Sequence, residues 1–285
     1  MMASDTRAVE GERAVSNDLL VDADWLETNL GNPNLRIVEV DVASTAYDDW
    51  HIDGAVLWNV YRDLKGPDYR PVGTAALQQL VARSGIGSDS TVVFYGYSPA
   101  LGLWLMDLYG YRDVRILDCS REAWRTDGRP WTTSAPGTVA GHGLPGDGHG
   151  PSRADRDDVL RSIGTPGETL VDVRSEAEFV GERFWPSGGQ DPQGRAGHIP
   201  SAVHQPIDGL YDERGSFRPT EVLRRVFSSI DLEGDDELIV YCTIGGRAAT
   251  AWFVLTHLLG RRQVCVYDGS WAEWGRMAQS PVEPE

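Results

Sequence analysis

The stretch LIVYCTIGGRAATAWFVL, residues 238–255, decides the fold. It begins with an apolar run lacking polar alternation, the pattern of a strand buried on both faces. Gly245 and Gly246 then supply the φ freedom of a tight turn, and from Ala248 onward apolar positions recur at helical spacing. A buried strand that hands over to a helix through a glycine turn is the unit of a parallel α/β sheet. Ligands bind at such handovers, outside the carboxyl ends of the strands, and Cys242 stands at this one.

Working outward, the same order of segments occurs twice in the chain. LRIVEVDVAS (35–44) corresponds to ETLVDVRSEAEF (168–179), and WHIDGAV (50–56) to GHIPSAV (197–203). STVVFYG (90–96) corresponds to ELIVYCT (237–243), each followed by an apolar helical segment, and VRILDCSREAW (114–124) to VCVYDGSWAEW (264–274). Four matches in one order indicate a duplication. The expected fold class is therefore α/β, with two similar domains, each a mostly parallel sheet flanked by helices on both faces. The Gly/Pro-rich segment 132–152 reads as a linker between domains at 18–131 and 153–279, with tails at 1–17 and 280–285.

A length of 285 residues suits two domains, and 41% hydrophobic with 24% charged residues excludes collagen-like and wholly disordered chains. Lys+Arg 26 against Asp+Glu 43 gives a net charge of −17, which repels nucleic acids and anionic lipid. An anionic substrate must then be small and locally held. No apolar run has the length of a membrane span, and the first residues lack the apolar stretch of a signal peptide, so the expected location is the cytoplasm.

The three cysteines form no C-x-x-C pair and are too few for a disulfide framework. Cys265 lies inside the apolar run VCVY and Cys119 in a turn, which suits packing better than chemistry. Cys242 differs. Successive N–H groups of its glycine loop converge on the loop centre, the following helix adds the positive end of its dipole, and Arg247 is the local cation. Such surroundings favour the nucleophilic thiolate. In the first half Gly96 takes the place of Cys242, and the loop is two residues shorter.

Taken together, VDVRSEAEF, GHIPSAV, YCTIGGRAATAWFVL and YDGSWAEW, with DWHIDGAV and LDCSREAW, resemble the tandem rhodanese family of thiosulfate and 3-mercaptopyruvate sulfurtransferases. The resemblance spans nearly the whole chain. It implies two rhodanese domains, the second one catalytic, and a ping-pong cycle through a persulfide on Cys242. The amides of Thr243, Ile244, Gly245, Gly246, Arg247 and Ala248 would hold the persulfide and the leaving anion. No cofactor and no metal is implied, because the cysteine carries the sulfur. The partners implied are a small anionic donor and a cyanide or thiol acceptor, a thioredoxin-like protein among the candidates, with the chain a monomer.

Arg174 matches the family's arginine after VDV, and Arg183 and Arg195 lie in an insertion, GERFWPSGGQDPQGRAG, that can fold over the cleft; all three are candidate donor-binding residues. Glu178 stands where many relatives have a second substrate-binding arginine. His51 and His198 occupy equivalent places in both halves, including the half without a nucleophile, which favours a structural role. Phosphatase or arsenate reductase chemistry is a rival, but its loop is one residue longer between cysteine and arginine. A non-enzymatic sulfur-relay or partner-binding module is disfavoured by retention of Cys242 in a complete loop. Arg247 leans the donor toward thiosulfate, with 3-mercaptopyruvate as the alternative.

Overall fold

A computed structural model of the chain describes residues 19–137, 141, 148 and 150–283. The first half contains β1 (Leu20–Val21), β2 (Leu35–Asp41), β3 (His51–Ile52), β4 (Ala55–Asn59), β5 (Thr91–Gly96), β6 (Val114–Leu117) and β7 (Trp131–Thr132). The second contains β8 (Arg153–Ala154), β9 (Glu168–Asp172), β10 (Val203–His204), β11 (Glu237–Tyr241) and β12 (Val264–Tyr267). Two five-stranded sheets result, with orders β1-β6-β5-β2-β4 and β10-β9-β11-β12-β8. Read from the opposite edge, the second order repeats the first, strand for strand.

All pairings within both sheets are parallel. The central strands β5 and β11 are buried over most of their length, as their unbroken apolar runs predict. The two similar α/β domains expected from the repeat are therefore present. The tail expected at 1–17 lies outside the described residues, as does part of the segment 132–152. Gly141, within that segment, donates its N–H to Ala82 O at 3.0 Å. At the other end Glu283 exchanges main-chain bonds with His198.

The sheets meet through their inner helices. Pro99–Leu108, which follows β5, packs against Gly246–Phe253, which follows β11. Both helices are apolar almost all round, and the result is one continuous core shared by the halves, with Val40, Leu101 and Leu105 on one side and Ala248, Ala251 and Leu255 on the other. The outer faces carry separate clusters around Trp124 and around Trp271 and Trp274. Because the helices are equivalent, their N-termini open on the same side, toward one interdomain cleft.

A second seam joins the halves at residues 214–217. Ser120 N–H donates to Arg214 O (2.8 Å), Ser216 Oγ to Asp118 O (2.6 Å) and Phe217 N–H to Asp118 Oδ1 (2.7 Å). Gly215 sits at φ +78°, and a Cβ there would lie 2.7 Å from the Ser120 main-chain nitrogen. Gly215→Ala should combine left-handed strain with that overlap, costing about 2 kcal/mol and a few degrees of Tm. A thermal melt matching that of the unsubstituted protein would contradict this reading of the seam.

Candidate active site

Cys242 follows the last residue of β11, and its geometry comes from the neighbouring handover. Trp271 N–H donates to Cys242 O (2.9 Å) and Ala272 N–H to Thr243 O (2.8 Å). Ser270 Oγ accepts from Cys242 N–H at 3.3 Å. With its carbonyls drawn backward onto the helix Ser270–Trp274, the loop turns its remaining amides forward. Gly245, at φ +97°, completes the turn, and its N–H donates to Cys242 Sγ at 3.1 Å. The first amides of the helix Gly246–Phe253 add unpaired donors and the positive dipole end behind the sulfur.

The thiol lies on the floor of a cavity of about 380 Å³ between the domains. Thr243, Ile244, Gly246 and Arg247 share the floor with it. Val42, Tyr61, Tyr97 and Ser98 of the first domain form one wall, and Trp185, Pro186 and Ser187 form another. Gly246 permits the close approach of the halves, because a Cβ there would lie 2.6 Å from Ser98 Oγ. The wall supplied by the first domain presents two aromatic rings, Tyr61 and Tyr97.

Arg247 lines the cavity, but its charge is already engaged. Its two terminal nitrogens donate to the two oxygens of Glu178 at 2.8 and 2.7 Å, and Thr243 Oγ1 bonds both partners. The Arg247 guanidinium and these hydroxyl bonds outweigh burial and hold the Glu178 carboxyl down at about 2, while the pair raises Arg247 further. Thus the acidic residue visible in the sequence at an arginine position clamps the loop arginine.

The structure does not bring the other three predicted arginines to the cavity. Arg174 is fully buried, chelates Asp172 (2.6 Å) and Gly197 O (2.8 Å), and stacks its guanidinium 4.4 Å from the Trp271 ring centre. Two residues apart at a strand end, Asp172 and Arg174 share a face, so the local carboxylate captures the cation before any ligand can. Arg183 donates to Ser175 Oγ (2.9 Å), and Arg195 bonds the carbonyls of Gly275 and Met277. The insertion carrying them does fold over the cleft, but the residues it delivers are Trp185, Pro186 and Ser187. His51 and His198 hold equivalent main-chain carbonyls, of Tyr47 and Phe179. Burial pushes the Cys119 and Cys265 thiols up, to about 11 and about 12.

One group beside the site had no signal in its own neighbourhood. Lys65 follows the one-turn helix Val60–Leu64 of the first domain in an unremarkable LKGP turn, yet its side chain enters the second domain. Its Nζ donates to Asp268 O at 2.7 Å and lies 3.2 Å from where a Cβ of Gly245 would be.

A rhodanese-like domain model matches residues 22–127 and again residues 155–277. The chain belongs to the rhodanese-like family. This rhodanese-like chain is 42% identical over 270 residues to "Putative thiosulfate sulfurtransferase SseA" of Mycobacterium tuberculosis, covering 92% of this chain and 90% of that one. A protein of Mycolicibacterium smegmatis named "Putative thiosulfate sulfurtransferase" is 38% identical over 273 residues, with 94% and 98% covered. Among solved structures, YnjE superposes with a TM-score of 0.78 at 23% identity, over 93% of this chain and 68% of that one. The family and its named relatives support a sulfurtransferase. Among the described residues no helix is long and apolar enough to cross a membrane.

The Glu178–Arg247 clamp has a pH signature. With a folded value of about 2 against 4.5 for the free carboxyl, the unfolded chain takes up the proton first. The stabilisation is therefore complete above about pH 4.5 and lost as pH falls toward 2. Glu178→Gln should remove a contribution on the order of 3 kcal/mol at neutral pH and flatten the acid limb of stability. Urea unfolding across that range checks it, and an unchanged acid limb would contradict the clamp.

Proposed function

We propose that this protein is a thiosulfate sulfurtransferase that carries sulfane sulfur as a persulfide on Cys242. The observation that carries the reading is the main-chain bond from Gly245 to Cys242 Sγ at the bottom of an open cavity. It sets a donor where negative charge on sulfur must be stabilised. In the first half-reaction the Cys242 thiolate attacks the outer sulfur of thiosulfate. A new S–S bond forms, and the original one breaks with its electron pair leaving on sulfite. In the second, a nucleophilic acceptor attacks the terminal sulfur of the persulfide and regenerates the thiolate. The first step takes Cys242 to the persulfide level and the second returns it to the thiolate, so the cycle needs no external oxidant or reductant and uses neither a metal nor an organic cofactor.

The acceptor is cyanide or a thiol. The aromatic rim of Tyr61, Tyr97 and Trp185 and the breadth of the cavity suit a thiol with an organic body, a small molecule or a thioredoxin-like protein's cysteine. The reaction is assigned to the cytoplasm, where thiols stay reduced, and the chain to a monomer. Neither nucleic acid nor membrane is a partner of so acidic a protein.

A second reading, with 3-mercaptopyruvate as donor, is favoured by the Arg247–Glu178 pair, which leaves less free positive charge for a dianion. Comparing kcat/KM for the two donors decides between them. A tenfold preference, about 1.4 kcal/mol in transition-state binding, assigns the donor.

Treatment with the preferred donor should add one sulfur atom to the peptide bearing Cys242, visible by mass spectrometry. Cys242→Ser should lower thiocyanate formation at least about a thousandfold. Equal rates, or a folded protein that gains no sulfur at this position, reject the proposal. Tyr97→Ala should raise KM for an aromatic thiol severalfold while leaving KM for cyanide in place, because only the larger acceptor reaches the rim. Steady-state kinetics with both acceptors would show it.

A further inference from the structure

Lys65 is 4% exposed, and the cavity does not include it among its walls. A buried ammonium needs either a counter-charge or full hydrogen bonding. The Lys65 ammonium donates to a neutral acceptor, the main-chain carbonyl of Asp268. Among the described residues it pairs with no carboxylate.

The charges around it come from several elements. The Asp268 carboxylate, just after β12, is held by Arg153 of β8 at 2.6 Å, with Arg70 at 3.7 Å. Glu273, on the helix Ser270–Trp274, accepts the Tyr267 hydroxyl at 2.7 Å and has Arg70 at 3.7 Å. Both carboxylates therefore already face a guanidinium. Arg70 also faces Asp68 and Asp155, so its charge is shared among four carboxylates, whereas the hydrogen bond of Lys65 goes to a carbonyl. Lys65 also faces the Cys242 thiol across Gly245, and from the cavity side that thiol faces Arg247 and Tyr61.

We propose that Lys65 of the first domain is a positioning residue whose ammonium, pressed against the Gly245 turn from behind, joins Arg247 in supplying the positive charge that favours a thiolate at Cys242. Lys65 touches neither donor nor acceptor and acts through the sulfur alone. The persulfide anion is served in the same way. Burial lowers the Lys65 ammonium to about 8, against the opposing pull of Asp268, Cys242 and Glu273, and leaves it protonated at neutral pH. The inference rests on the proposed function only in taking Cys242 as the reacting thiol.

The test is alkylation of Cys242 by iodoacetamide, followed by peptide mass spectrometry from about pH 5 to about pH 9, with no sulfur donor present. Lys65→Met should move the midpoint of the rate profile upward by about one pH unit and lower the rate at neutral pH about tenfold. Lys65→Arg should restore most of it. Coincident profiles for the unsubstituted protein and a folded Lys65→Met overturn the proposal.

Coupling of this kind is reciprocal, which gives a second measurement if Lys65→Met does not fold. In Cys242→Ser the Lys65 13Cε resonance should titrate at lower pH than in the unsubstituted protein, and an unmoved midpoint overturns the proposal. Failure of the sulfurtransferase reading would appear separately, as a normal alkylation profile in a protein that accepts no sulfur.

Discussion

The site depends on two main-chain bonds, from Trp271 and Ala272 to the carbonyls of Cys242 and Thr243. A loop of alternating donors and acceptors can present a uniform set of N–H groups to a ligand only if something else consumes its carbonyls. Here the short helix Ser270–Trp274 does so from behind. Its own position is fixed by Trp271 and Trp274, fully buried in the outer core of the second domain. Packing on the far side of the sheet thereby sets the polarity of the Cys242 loop.

Much of this was legible in the sequence. The fourfold correspondence between halves specified two like sheets, and the strand orders agree with it. The strand, turn and helix around Cys242 could be read because each rests on local chemistry: an unbroken apolar run, paired glycines, helical spacing. The three distant arginines were not legible, since a guanidinium goes to the nearest satisfiable acceptor. For Arg174 that is Asp172, two positions back on the same face, and the D-x-R spacing was the available signal. For Arg183 and Arg195 the acceptors are a hydroxyl and main-chain carbonyls that only the folded insertion provides. Lys65 lies 177 positions before Cys242, in the other domain, and no local pattern marks it as buried.

Electrostatically the site is more neutral than its motif suggests. The loop arginine is paired with Glu178 while still facing the sulfur, which also accepts the Gly245 amide. The walls of the cavity carry rings, which discriminate by shape and polarisability more than by net charge.

The shared inner core has a kinetic meaning. Domains joined by small polar interfaces rock freely, whereas an apolar interface continuous with both hydrophobic interiors resists opening. A hinge between these halves would have to expose Leu101, Leu105, Ala251 and Leu255 together. The ring-lined mouth of the cavity is therefore framed by an interface whose separation would carry the cost of baring both interiors to water.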